Sequence, residues 1–356
     1  MKVYGVIMAG GGGTRFWPIS RQAKPKQLLN LSGKEIMVNE AADRLAKTAD
    51  MNDIFIVTNK TQAAAMKEVT KGRIREDHIL AEPSARNTAA CIGYAAMEII
   101  KKYGDGIMVI TPSDAFIKDE NEFTNILSKA VKEAESTEHL VTVGITPTFP
   151  STGYGYIKYD TTSEGDVKKV QEFKEKPDLE TAKVYVASGS YAWNSGMFIW
   201  KASVILKNFE KFLPEIYADI VKIGEAMGTP SEYDVIEEVY PQIKSISVDY
   251  GIMEQSDEVM VVPGEFGWND VASFDMLRVM HDEDAENNIV VGNCVNIDTK
   301  NSVVYSSSGR LVTTLGLDNI VVVETADSIM VCSKDRVQDV KKIVDELKGQ
   351  GKTEYL

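Results

Sequence analysis

A chain of 356 residues, 44% hydrophobic and 26% charged, has ordinary globular composition but exceeds what one core usually holds, so one large and one small domain are expected. A formal net charge of −14 argues against a nucleic-acid or anionic-membrane partner, which would want a basic face, and an anionic substrate must meet a local basic pocket or a metal ion. The three cysteines and three histidines are too scattered for a disulfide framework or a zinc spacing, and no signal or membrane-length run stands out, so a reduced cytoplasm is the expected setting.

The apolar run over residues 3–9 has the length and bounds of a buried strand. It enters Gly10-Gly11-Gly12-Gly13-Thr14-Arg15, where missing Cβ atoms let backbone N–H groups approach a ligand. The dinucleotide fingerprint fails because Arg15 stands where a third glycine is required, and no Gly-Lys-Ser/Thr completes a Walker loop. Arg15, Lys24 and Lys26 follow within one loop length, and cations beside free amides describe a polyphosphate cradle. Of the three, Lys24 reads as a solvated charge.

Helical spacing is predicted over 34–49 and 62–71, with a buried strand over 53–59 between them. A polar loop at 82–89 feeds a small-residue helix to Tyr103, a strand over 106–111 ends in Pro112-Ser113-Asp114, and a helix over 123–136 precedes a strand over 140–145. This alternation implies parallel strands with helices on both faces, and ligands then sit at the carboxyl ends of the strands. The glycine loop and Asp114 both occupy such ends.

From Thr152 the pattern loosens. Strands are expected over 154–159, 167–173 and 193–200, and helices over 202–209, 214–227, 233–239 and 270–280, the last closing the large domain. Beyond about residue 286, short β-branched runs separated by Gly, Asn, Asp and Ser predict a small all-β module, closed by a helix over 336–347 with a frayed lysine-rich end. The expected domains are 1–285 and 286–356.

The pattern Gly10-Gly11-x-Gly13-Thr14-Arg15-x-Trp17-Pro18 with Pro25-Lys26-Gln27 resembles the signature of sugar-1-phosphate nucleotidylyltransferases. Phe16-Trp17-Pro18-Ile19-Ser20 and later blocks are most similar to the mannose-1-phosphate guanylyltransferase branch. The resemblance implies a Rossmann-like, GT-A-like mixed α/β sheet flanked by helices, then a short left-handed β-helix-like domain. It also implies a homodimer that transfers GMP from GTP to mannose 1-phosphate with Mg²⁺, giving GDP-mannose and pyrophosphate. Another sugar 1-phosphate or nucleotide, or a silent nucleotide-sugar-binding regulator, are the alternatives. Some members carry a further cupin-like isomerase domain; this chain stops before one, so a single activity is expected.

Such a transfer needs charge neutralisation and positioning more than a protein nucleophile. Asp114 alone reads as a turn residue or helix cap, as does Asp270 in Gly267-Trp268-Asn269-Asp270-Val271. The resemblance makes the two aspartates the Mg²⁺ pair, although the family's Pro-Ser-Asp-His is here Pro112-Ser113-Asp114-Ala115. It gives Lys26 the α-phosphate and Arg15 the β- and γ-phosphates. Glu82, Arg86, Asn87 and Thr88 resemble the base-reading loop, with Glu82 accepting from guanine donors. Asn87 or Thr88 as a helix cap also fits, and the loop's closing proline is replaced by Ala90. On the sugar side stand Gly153 and Tyr154, the Glu175-Lys176 pair, and Asn194 and Gly196 in Trp193-Asn-Ser-Gly-Met. Asp249 and Tyr250 match another block and are expected to support the pocket from behind.

Overall fold

The computed structural model describes residues 1–356. Strand β1 (Val3–Ala9) is followed by α1 (Met37–Leu45), β2 (Ile54–Asn59), α2 (Lys60–Val69), β3 (Ile79–Glu82), α3 (Asn87–Tyr103) and β4 (Ile107–Pro112). Then come α4 (Glu120–Ser136), β5 (Leu140–Ile145), β6 (Tyr156–Tyr159), β7 (Lys168–Lys174), α5 (Leu179–Ser188) and β8 (Tyr191–Lys201). Helices α6 (Ala202–Phe212), α7 (Pro214–Ala226) and α8 (Glu232–Val239) precede β9 (Val259–Gly264). These nine strands form one sheet in the order β3-β2-β1-β4-β8-β5-β9-β7-β6.

The sheet is mixed. Strands β1 to β4 are mutually parallel, whereas β8 runs antiparallel to both β4 and β5. The inner strands are buried on both faces, β5 along its whole length, because helices cover each side. One core lies against α3, α6 and α7 and a second against α1, α2 and α4. Helix starts follow local chemistry: Asn59 accepts from the Thr61 N–H, Asp119 from the Asn121 and Glu122 N–H groups, and Asp178 from the Thr181 N–H.

Beyond residue 286 six short strands follow: β10 (Ile289–Val291), β11 (Cys294–Ile297), β12 (Val303–Ser306), β13 (Val312–Leu315), β14 (Ile320–Glu324) and β15 (Ile329–Ser333). Parallel pairing of β10 with β12, of β12 with β14 and of β11 with β13 stacks them as a β-helix, with β15 returning antiparallel to β14. Ile289, Val303 and Val321 are register partners and form its buried column. Asn288 ties the first corner, donating to the Thr299 carbonyl at 2.6 Å and accepting from the Ser302 N–H at 3.0 Å.

Two expectations need correction. The segment expected as a helix over 270–280 is irregular through Ser273 and forms only a 3-10 turn, Phe274–Val279, because Asp270 and Val271 are held by contacts of their own. The lysine-rich end is not frayed. After α9 (Val340–Gly349) a last turn docks, and the Trp17 indole Nε1–H donates to the Tyr355 carbonyl at 2.8 Å.

A third core joins the two parts: Phe16, Trp17 and Phe274 pack with Val303, Val321, Val337, Val340 and Val344. Phe274 is fully buried there and tilted against Phe16, with ring centroids 5.0 Å apart. Phe274→Ala should cost about 3–5 kcal/mol. Calorimetry should show one lowered transition, the sheet and the β-helix melting together; an unchanged first transition would mean the parts unfold separately.

Candidate active site

Strand β1 ends beside β4, so the loops that leave their carboxyl ends face one another. The Gln27 amide fixes the glycine loop by donating to the Ala9 carbonyl at 2.7 Å and the Gly11 carbonyl at 3.0 Å. Ser20 Oγ donates to the Gly13 carbonyl at 2.7 Å. Gly13 itself has φ of +57°, and a Cβ there would lie 2.6 Å from the backbone nitrogen of Lys26, so no side chain fits.

Lys26 is only 5% exposed. Its ammonium donates to Asp114 Oδ2 at 2.9 Å, the Asp114 carbonyl at 3.0 Å and the Asp270 carbonyl at 2.6 Å. An ammonium has three donors, so all three are used. The segments that carry the two aspartates are also stitched by backbone: Phe116 and Asn269 exchange N–H···O bonds of 2.8 and 3.0 Å. Arg44, buried behind them, donates to the Ala115 carbonyl at 2.9 Å. Ala115, where the family pattern has a histidine, borders a small void of about 10 Å³ on one side and the cleft on the other.

Asp270 Oδ1 accepts from the Tyr154 hydroxyl at 2.8 Å, and burial raises its carboxyl above the usual range. The following residue, Val271, is buried with φ of +43°, a conformation a β-branched residue rarely adopts. That strain is held by the Val271 N–H bond to Asn269 Oδ1 at 2.7 Å. Asp114 Oδ1 and Asp270 Oδ2 are left without protein donors. Two such carboxylates suit a small hard cation that completes its shell with water and phosphate oxygens.

A cleft of about 470 Å³ collects Gly13, Thr14, Arg15, Lys26, Thr88, Asp114 and Asp270 with Gly153, Tyr154, Glu175, Lys176, Asn194 and Gly196. Arg15 is exposed and makes no ion pair within the chain. Among the residues expected on the sugar side, Gly196 has φ of +71° where β8 is bulged against β5, which turns Asn194 toward the cleft. A Cβ on Gly155 would lie 2.5 Å from Glu175 Oε2, so that glycine is required for the carboxylate to come in. Lys176, at φ of +41°, pairs with Glu175 at 2.9 Å.

The base-reading candidates lie farther out. Gly10 and Gly12 line a separate cavity of about 270 Å³, and Gly11 has open space around it. Glu82 ends β3 beside Gly10, is 5% exposed, accepts from the Tyr240 hydroxyl, and is pushed by burial up to about 7. Arg86 is outside the cleft lining, anchored on Ser84 Oγ and the Pro241 carbonyl. Asn87 turns the chain into α3 with φ of +64°, its Oδ1 accepting from the Thr88 N–H. Thr88 Oγ1 accepts from the Val248 N–H at 2.9 Å and so holds the segment before Asp249.

Asp249 is the residue that sequence reasoning placed too far back. A π-helical turn, Asp249–Met253, brings its carboxylate to the cleft, where Asn194 Nδ2 donates to it at 2.7 Å. The matching block was the available signal. Ser195 and Trp268, which fall inside the blocks around Asn194 and Asp270, also line the cleft, as does Lys341, which nothing local in the sequence marks.

A Rossmann-like sheet whose glycine loop and paired carboxylates open on one cleft defines a nucleotidyltransferase. The family described as Nucleotidyl transferase matches residues 4–287, and the MannoseP isomerase/GMP-like beta-helix domain matches residues 292–347. The chain is 39% identical to the xanthan biosynthesis protein XanB of Xanthomonas campestris pv. campestris, over 98% of this chain and 74% of that protein. It is 38% identical to the mannose-1-phosphate guanylyltransferase of Escherichia coli K12, over 99% and 75%. The crystal structure of a mannose-1-phosphate geranyltransferase from Thermus thermophilus superposes with a TM-score of 0.87 at 31% identity, over 98% of this chain and all of that one. The chain belongs to the mannose-1-phosphate guanylyltransferase family of nucleotidyl transferases.

Two outcomes follow from the geometry. Gln27→Ala leaves the carbonyls of Ala9 and Gly11 without their donor and should cost about 1–3 kcal/mol of stability in chemical denaturation. Burial raises the Asp249 carboxyl from 3.8 to about 6. Stability is therefore lost as pH rises between those values, because the unfolded chain ionises there first, and the loss is constant above them. Asp249→Asn removes that loss and should gain about 1–2 kcal/mol at pH 8 relative to pH 3. Equal effects at both pH values would show that the carboxyl is not desolvated.

Proposed function

We propose that the chain transfers GMP from GTP to mannose 1-phosphate, releasing pyrophosphate, with nucleotidyl transfer in residues 1–285 and residues 286–356 backing the site. The observation that carries the reading is one continuous cleft in which the glycine loop, two carboxylates and a sugar-side acceptor set face each other. The relatives' name supplies the substrates, and the cleft supplies a place for both anions.

A phosphate oxygen of mannose 1-phosphate attacks the α-phosphorus of GTP; the new P–O bond forms as the bond to the β-phosphate oxygen breaks, and pyrophosphate leaves with the electron pair. The attacking oxygen is already ionised at neutral pH, so no protein base is required. Asp114 and Asp270 would hold Mg²⁺, which when bound supplies charge neutralisation at the reacting phosphates. Arg15 has an unpaired guanidinium for the outgoing phosphates. Of the three Lys26 bonds, the one to Asp114 Oδ2 ends on a rotatable side chain, and an α-phosphate oxygen can replace it. Glu82 Oε2 is the free acceptor for a guanine N–H once Tyr240 has taken Oε1. Glu175, Asn194 and Asp249 supply acceptors and a donor for sugar hydroxyls, and Lys176 a cation for the 1-phosphate.

No helix is long and apolar enough to cross a membrane. The same reading carries a cytoplasmic homodimer, supported by the exposed apolar outer face of β11 and β13, where Val295, Ile297 and Leu315 stand in water. Ile297→Asp with Leu315→Asp should then give a monomer in sedimentation velocity.

The reading is tested by pyrophosphate release with GTP, ATP, CTP and UTP, each paired with mannose 1-phosphate and glucose 1-phosphate, with and without Mg²⁺. Release should require GTP, mannose 1-phosphate and the metal together; another pair would overturn the specificity and no release with any pair would overturn the activity. Asp114→Ala and Asp270→Ala should each lower kcat by at least about a hundredfold in folded protein, and Asp114→Ala should also lower the melting temperature because the buried Lys26 ammonium loses its carboxylate. Full activity in both would sink the metal assignment.

A further inference from the structure

Helix α9 comes from the β-helix module yet lies on the glycine loop. Val340 and Val344 are buried in the core that holds Phe16 and Trp17. One side of this helix carries Lys341, Val344 and Lys348, at spacings of three and four residues. Lys341 lines the catalytic cleft, while Lys348 and Val344 line the cavity on the other side of the loop with Gly10, Gly12 and Thr14.

Lys341 is exposed and has no carboxylate in ion-pair range, whereas its neighbour Lys342 pairs with Asp339 at 2.7 Å. Within the cleft, Lys26 has spent its three donors on the protein and Lys176 is paired with Glu175. The unpaired cations there are Arg15 and Lys341, one from the loop itself and one from the helix laid against it.

We propose that α9 forms the second wall of the polyphosphate site, with the Lys341 ammonium contacting the β- and γ-phosphates of the nucleoside triphosphate and the pyrophosphate that leaves. The proposal rests on the nucleotidyl-transfer reading above. In this arrangement the triphosphate lies between a guanidinium from the first loop of the chain and an ammonium from its C-terminal module. The sugar 1-phosphate end of the cleft is served by Lys176.

The experiment is calorimetric titration of inorganic pyrophosphate, with Mg²⁺ present, into the wild type, Lys341→Gln, Lys341→Arg and Lys342→Gln. Lys341→Gln should weaken binding about tenfold, the scale of one charged hydrogen bond, with Lys341→Arg recovering most of it and Lys342→Gln unchanged. In turnover, the KM for the nucleotide should rise by a similar factor while the KM for the sugar 1-phosphate stays within about twofold. Wild-type pyrophosphate affinity in Lys341→Gln, or an equal rise in both KM values, would overturn the assignment. The titration uses neither nucleotide nor sugar, so a wild type that binds pyrophosphate but does not turn over GTP with mannose 1-phosphate would overturn the substrate reading alone.

Discussion

The Lys26 ammonium meets its three acceptors on two segments that the sequence places far from it, one after β4 and one after β9. A buried ammonium without partners would lose its proton or cost several kcal/mol, so the partners and the lysine require each other. Gly13 completes the arrangement, because the space its side chain would fill belongs to Lys26. The glycine loop and the two aspartates therefore form one unit, and displacing any of the three segments uncovers a charge.

That unit explains how a chain of net charge −14 can accept two anions. The excess acid is spread over the surface, while the cleft sets Arg15, Lys26, Lys176 and Lys341 among Asp114, Glu175, Asp249 and Asp270. Within this balanced set the groups are not equivalent. Lys26 is saturated, Asp249 is desolvated, and Arg15 is free, so the pocket's response to an anion is set by which partners are already taken and not by its net charge.

The elements with strong periodicity or complete burial, such as β1, β4 and β5, were legible because their apolar runs have no other use. Helix α5 escaped because only Ala182 on it is buried, and its signal reduces to the Asp178 cap and Gly189. Strand β9 contains Pro263 and borders polar residues, which reads against a strand although it lies in the middle of the sheet. The β-helix was recognisable as β-rich but not as a repeat, since its coils differ in length and its turns use Asn287, Asp298, Asn301 and Asn319 in left-handed conformations as well as glycines. In the cleft, residues beside the ends of strands could be found from sequence. Asp249 and Lys341 reach it only through tertiary packing, the first by a π-helical turn and the second by docking of a distant module.

The bond from the Trp17 indole to the Tyr355 carbonyl, with Val340 and Val344 packed on Phe16 and Trp17, also sets an order of events during synthesis. Sheet strands β1 to β4 can pair once β4 has emerged, but the loop that follows β1 has its supporting wall only after residues 340–355 have left the ribosome. Contacts of such long sequence separation form late and slowly. A nascent chain can therefore be folded over most of its length while its glycine loop is still unbacked, and the final packing of that loop arrives as a late step.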